Sequence, residues 1–404
     1  MIMDQNDSVA SNLPQEILQK ILGASRSCPT MLKSCSLVNR AWLHASRVIL
    51  FRTINLTPLL AQEDWLSVFV NMPLNIGDHV REIMVKNARW VSHSSATRVL
   101  LLSHFATSVT SLKLSNLTIS DFAHFANIVS TLKGLQLLSM QHIGFEHNQL
   151  DFSEPIAPNR SFPPSLTSLY LYYVDLGLLF DWIHAHSVVP KLSKAYIGPM
   201  ESHWKARIFR YLLSPLPDWI VELAFLFPET VPAGHYSLYC DAAVPKDCPA
   251  PPPTAHLKSI ITRHQARYGV PLYLNGLAFA GNLRSLRIHK FFNGRNRESN
   301  VCTVWAARLL VNVKKGFRGR LVLDVEANSA MEIDVAEIDW EFLEDVLSDE
   351  IFSEVEAVVF LVLTDIEPSK LESLISLKMP RSYTRGILRF EEAHETTFRP
   401  PVIL

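Results

Sequence analysis

Apolar positions in the first fifty residues fall into three short clusters with helical spacing. Leu13, Ile17, Leu18, Ile21 and Leu22 recur at i, i+4, i+5, i+8 and i+9, a stripe wider than a short surface helix needs. Pro14 suits a helix start, because its missing N–H has no intrahelical partner there, with Asn12 as the expected cap and Gly23 as the stop. After a polar bridge containing Pro29 come Met31, Leu32, Cys35, Leu37, Val38 and Ala41, and then Trp42, Leu43, Ala45, Val48, Ile49 and Leu50. Three helices this short cannot bury all of these side chains against each other, and a module below ~40–50 residues needs help from outside to be stable. Part of this surface is expected to meet the rest of the chain or another protein.

From Phe51 onward a different pattern recurs, apolar-x-x-apolar-x-apolar-x-x-apolar. Its copies begin at Val80, Val109, Leu135, Leu166 and Leu283, and looser ones centre on Ala195/Ile197, Leu223/Phe225, Leu321/Leu323, Val358/Phe360 and Leu388/Phe390. From Ile83 the anchors advance by 29, 26, 31, 26 and 28 residues through Leu112, Leu138, Leu169, Ala195 and Leu223. Stretches with helical apolar spacing lie between, at 64–72, 97–106, 121–132, 176–186 and 343–347. The period and the pattern resemble leucine-rich repeats, each a short strand plus a return segment. The resemblance implies an α/β fold: an irregular solenoid of parallel strands with helices on the convex side. An ordinary α/β sheet with helices on both faces is the alternative. The position that holds Asn or Cys in the family is here Ala88, Leu117, Ile143, Val174 and Phe291, so the turns must satisfy their backbone in another way. Between Leu223 and Leu286 the interval grows to 63 residues and contains seven prolines between 228 and 253, so an exposed loop is expected over roughly 228–254.

The N-terminal residues carry a second likeness. Leu13-Pro14-x-Glu16-Ile17-Leu18-x-x-Ile21-Leu22, then Ser36-Leu37-Val38-Asn39-Arg40-Ala41-Trp42, then Leu50-Phe51-Arg52 resembles an F-box over residues 11–52. The resemblance implies docking on a Skp-family adaptor, and through it on a cullin and a ubiquitin ligase. It assigns that contact to Leu13, Pro14, Ile17, Leu18, Ile21, Leu37, Val38 and Trp42. The competing reading is that these residues only pack the helices on the domain that follows. The expected organisation is a disordered stretch at 1–10, the F-box-like module at 11–52 and a repeat domain over 53–404.

Composition narrows the function by exclusion. The chain has 404 residues, 48% hydrophobic and 19% charged, with a net charge of −1, which gives no overall pull toward nucleic acid or membrane. Residues 1–12 have no apolar core of the secretory type, and the apolar run 357–364 is far shorter than the ~20 residues of a membrane span, so a cytoplasmic or nuclear protein is expected. Five scattered cysteines read as reduced thiols. No Gly-x-Ser-x-Gly, Gly-x-x-x-x-Gly-Lys-Ser/Thr, Gly-x-Gly-x-x-Gly, His-Glu-x-x-His or paired Cys-x-x-Cys is found, so neither catalysis nor a cofactor or metal is expected.

Charge is partitioned along the chain. Ten Lys/Arg against one acid lie between Arg284 and Arg320, and fifteen Asp/Glu with no Lys or Arg follow between Leu321 and Ser369. Either these blocks neutralise one another, or the basic one faces a ligand. Arg287, between two inward apolar positions, is expected on the open face of its strand, as are Lys113, Tyr170 and Tyr172 in earlier repeats. These four are the candidate contacts for a protein target. A nucleic-acid-binding repeat protein using the 284–320 block, or a repeat scaffold outside any ligase, are the alternatives.

Overall fold

Three short helices open the described chain, and short strands with the segments between them follow. The computed structural model describes residues 13–26, 28–56, 74–90, 105–147, 161–174, 179, 182, 192–198, 221–226, 259, 283–294, 306, 310, 313, 316–334, 338–364 and 366–393. The fold is α/β, with parallel strands that pair in chain order. The expected disordered stretch at 1–10, the loop at 228–254 and most of the helices expected at 64–72, 97–106 and 176–186 lie outside the described residues.

The chain divides into two compact units, Met1–Leu166 and Thr167–Leu404, and the boundary falls inside the single repeat domain expected at 53–404. The first unit holds α1 (Gln15–Ala24), α2 (Pro29–Cys35), α3 (Arg40–Leu50), β1 (Thr53–Asn55), β2 (Glu82–Trp90), β3 (Ser111–Asp121), α4 (Phe122–Thr131) and β4 (Leu137–His147). The helical module therefore shares a unit with four strands, because β1 leaves α3 within three residues and pairs with β2. The second unit holds β5 (Ser168–Val174), β6 (Lys194–Ile197), β7 (Glu222–Leu226), β8 (Ser285–Asn293), β9 (Arg320–Glu326), α5 (Ala330–Asp334), α6 (Trp340–Leu347), β10 (Ala357–Val362), α7 (Pro368–Lys378), α8 (Pro380–Thr384) and β11 (Leu388–Glu392).

The apolar anchors read from the sequence stand beside one another, rung upon rung. Ile83 pairs with Leu112 and Leu112 with Leu138. In the second unit Leu169, Ala195, Leu223, Leu286, Leu321, Val358 and Leu388 form one continuous row. β7 and β8, on either side of the 63-residue interval, pair directly. All of these anchors are buried. α4 closes the rung after β3, capped by Asp121, whose carboxylate accepts the Ala123 amide at 2.9 Å. Phe122 and Phe125 pack with Phe145 of β4 at centroid distances of 5.1 and 5.8 Å.

Backbone satisfaction where the chain enters each strand follows a repeating rule. The carbonyl that precedes one strand accepts two successive amides of the next rung. Arg52 accepts Arg81 and Glu82, Arg81 accepts Thr110 and Ser111, and Thr110 accepts Gln136 and Leu137. Thr167, Ser193 and Val221 act in the same way in the second unit. No side chain is needed for this arrangement.

A second regularity explains the spacing of the apolar positions. Strict alternation would point Val85 inward and Ala88 outward, yet both pattern positions are apolar. In β2, β3, β4, β5 and β8 one residue absorbs the extra step in a left-handed conformation: Asn87, Asn116, His142, Tyr173 and Lys290 have φ between 49° and 51°. Asn tolerates this region best among residues with a Cβ, and the Asn116 amide donates to Asn87 Oδ1 at 3.0 Å. Asn116→Ala is expected to cost about 1–2 kcal/mol of stability, while Asn116→Gly stays within about 0.5 kcal/mol of wild type. Urea denaturation distinguishes them, and equal losses would assign the effect to the hydrogen bond alone.

Candidate functional site

The three N-terminal helices have a small core of their own. Pro14 stands at the cap position of α1 and its carbonyl accepts the amides of Ile17 and Leu18 at 3.0 and 3.1 Å; the expected cap, Asn12, lies outside the described residues. Pro29 opens α2. Asn39 caps α3, its Oδ1 accepting the Trp42 amide at 3.0 Å. Leu18, Leu22, Leu32 and Ala45 form the buried centre, with Leu13, Cys35, Trp42, Ile49 and Leu50 packed around it.

This core divides the eight residues that the resemblance assigned to docking. Ile17 and Ile21 are 41% and 45% exposed, Leu37 and Val38 are 86% and 58% exposed, and Pro14 is exposed too. Leu13 and Trp42 are half-buried within the module. Leu18 is corrected: at 1% exposure it faces Leu22 and α3, so it belongs to the core and offers no contact surface. Met31, 49% exposed, joins the outward set, and its place in the second apolar cluster is the signal that could have found it. Five of the nine exposed large apolar side chains among the described residues thus lie between residues 17 and 38. Full burial of such a side chain is worth about 1.5–3 kcal/mol, so an exposed cluster is a strong reservoir of binding energy.

The expected target-contact residues have a different environment. Lys113 is ion-paired with Glu82 on the neighbouring strand at 2.9 Å. In the second unit Tyr170, Tyr196, Ala224, Arg287 and Val322 share one row across β5 to β9. The Tyr170 and Tyr196 rings stack at 6.4 Å, and Tyr196 meets the edge of His289 at 4.8 Å. Burial, with Glu222 nearby, pushes the Tyr170 phenol up to about 12, and burial raises Tyr196 as well, with Tyr172 and Asp324 adding to it and Arg287 opposing. Both are neutral hydroxyls across the physiological range. Tyr172 is half-buried against Tyr173, the rings 4.8 Å apart.

Arg287 is the second correction. It is only 9% exposed, and its Nε and Nη2 donate to the two oxygens of Asp324 at 2.8 and 3.1 Å. His289 Nδ1 lies 2.6 Å from Asp324 Oδ2. The guanidinium therefore serves a buried internal network and presents no free cation to a target. Aligning Leu286-Arg287-Ile288-His289 on Leu321-Val322-Leu323-Asp324 would have found this partner, since both segments carry the same anchors.

The charge blocks meet in one further pair, Arg318 with Glu354, while Arg320 reaches Glu391 of β11, outside the acidic block, at 2.6 Å. Ion pairs thus engage three of the five described basic residues of the 284–320 block, two of them with the acidic block, which lessens what remains for nucleic acid. A recess of about 640 Å³ beside α6 and α8 is lined by Ser348, Ser353, Arg381 and Arg385, among others. Its donors are engaged locally: both serine hydroxyls donate to helix carbonyls, and Arg385 donates to the carbonyls of Leu347 and Phe352 at 2.6 and 2.8 Å. This is a capping junction between helices.

Among the described residues no His/Cys/Asp/Glu group could hold a metal ion, and no helix is long and apolar enough to cross a membrane. Cys28 is exposed and Cys35 half-buried, both as free thiols. No protein-family model and no curated protein matches the chain; the likeness to an F-box rests on its sequence pattern.

Proposed function

We propose that this chain is a non-catalytic, substrate-selecting adaptor of a Skp–cullin–F-box ubiquitin ligase, working in the cytoplasm or nucleus. The N-terminal helices dock on a Skp-type protein, and the repeats, read as a leucine-rich-repeat-like solenoid, hold a protein target. Such an adaptor raises the effective concentration of target lysines near the ubiquitin-loaded enzyme and makes no bond itself. One observation carries the reading: a helical trio with a sealed core of its own leaves Ile17, Ile21, Met31, Leu37 and Val38 outward. Packing onto a following domain would have covered them. The in-register rows of repeat anchors support the second half of the proposal. Target contacts are assigned to the open strand faces without Arg287, whose charge Asp324 holds.

The test is recovery of a purified Skp-family protein on the immobilised full-length chain. Leu37 is 86% exposed, so Leu37→Asp leaves the core intact and is expected to weaken binding at least about tenfold, or about 1.4 kcal/mol. Ile17→Asp should act in the same direction. Leu18→Ala is expected to act through folding, lowering the helical circular dichroism along with binding. Undiminished recovery with Leu37→Asp and Ile17→Asp removes the docking claim.

A further inference from the structure

Along the sequence, the exposed apolar side chains of the N-terminal module are interspersed with exposed cations. Between residues 13 and 56 the chain carries Lys20, Arg26, Lys33, Arg40, Arg47 and Arg52 against Glu16 alone, and Asp4 and Asp7 upstream still leave a positive surplus. The whole chain, by contrast, carries −1. All six cations are exposed. Lys20 lies one helical turn from Ile17 and adjoins Ile21, Lys33 follows Met31 by two residues, and Arg40 follows Val38 by two.

Pairing in the second unit shows what a structural role for such charges looks like. Arg287, Arg318, Arg320, Lys378 and Arg381 each have a carboxylate within 4 Å. None of the six cations of the helical module has one among the described residues. Six like charges within forty-odd residues, with no carboxylate partner among the described residues, repel one another and contribute nothing to the small core. Around an apolar docking surface they have a use: they draw in a partner of opposite sign.

We infer that the module takes a docking face that is apolar at its centre and acidic at its rim, and that the six cations steer the encounter. The inference rests on the adaptor reading and adds the partner's charge pattern to it. Apolar contacts then govern how long the complex lasts, and the rim governs how fast it forms.

Association and dissociation rates of the full-length chain with a Skp-family protein test this by surface plasmon resonance. The association rate is expected to fall at least about tenfold between about 0.05 and about 0.5 M sodium chloride, with the dissociation rate changing less than about twofold. Lys20→Glu/Lys33→Glu/Arg40→Glu should lower the low-salt association rate at least about tenfold and remove most of its salt dependence. This variant folds by expectation, because all three sites are exposed and Arg40→Glu places an acid in the first turn of α3, where the helix dipole favours it; circular dichroism checks it. Leu37→Asp should act mainly on dissociation. An association rate indifferent to salt, or unchanged in the folded triple variant, overturns the inference while leaving the adaptor reading intact. So does a flat rate together with cation-dependent retention on duplex DNA or phosphatidylserine vesicles, which would assign the charges to a polyanion. If the wild-type chain fails to bind the adaptor protein at every salt concentration, the adaptor reading itself falls, and the inference with it.

Discussion

Asp324→Ala is expected to lower the unfolding free energy by about 3–5 kcal/mol, measured by urea denaturation of the full-length chain. The Asp324 side chain is wholly buried and lies between Arg287 and His289, which are 9% and 6% exposed. Both of its oxygens are engaged, one by Arg287 Nε and the other by Arg287 Nη2 and His289 Nδ1. Removing the carboxylate leaves a nearly buried guanidinium without this bidentate partner, and breaking one side of a buried ion pair is the costly case. Asp324→Asn keeps an acceptor and the side-chain volume, so its loss should be smaller. Replacing both partners, Arg287→Met with Asp324→Leu, should recover much of the loss, since a well-packed apolar pair avoids the desolvation of two charges. A loss below about 1 kcal/mol for Asp324→Ala would show that the network is dispensable.

What is legible in the sequence follows from which forces are local. The inward anchors are set by apolar spacing, and spacing by itself aligns Ile83 with Leu112 and Leu138, and Leu223 with Leu286. The offset of 63 residues between the last two does not disturb the register, since β7 and β8 pair directly. Residues 340–347 and 122–131 form helices close to where their spacing puts them.

Other features depend on information that a linear pattern does not hold. The stripe Leu13, Ile17, Leu18, Ile21 and Leu22 spans more than one helix face. Packing against α2 and α3 decides that Leu18 and Leu22 turn inward while Ile17 and Ile21 turn out. The strand phase of Arg287 points it away from the apolar anchors, but its fate is set by an aspartate 37 residues away on the next rung. Basic and acidic side chains distant along the chain, such as Arg287 and Asp324, are brought together by the strand register. The left-handed row is half visible: Asn87, Asn116 and to a lesser degree His142 suggest it, while Tyr173 and Lys290 adopt the same backbone with no residue preference to announce it.

Glu344→Ala is expected to cost about 2–4 kcal/mol, through the loss of a cap rather than of an ion pair. α8 begins at Pro380 and has no side-chain cap of its own, so the amides of Arg381 and Ser382 need an acceptor from elsewhere. Glu344, 3% exposed on α6, supplies it. Its Oε1 accepts both amides, the Ser382 amide at 3.0 Å, and its Oε2 accepts the Ser382 hydroxyl. Ser382 is fully buried, so truncation leaves an amide and a hydroxyl there without this acceptor. Arg381 Nε stands 3.8 Å from the same carboxylate, on a side chain that is 50% exposed, and contributes little by comparison. The two origins separate experimentally. If the cap dominates, the difference in denaturation midpoint between Glu344→Ala and wild type persists at high salt, and Arg381→Ala reproduces only a small part of it. Glu344→Gln, which keeps one oxygen acceptor, should then fall between the two. A gap that closes in salt, or that Arg381→Ala matches, would mean that the charge pair and not the cap holds α8 in place.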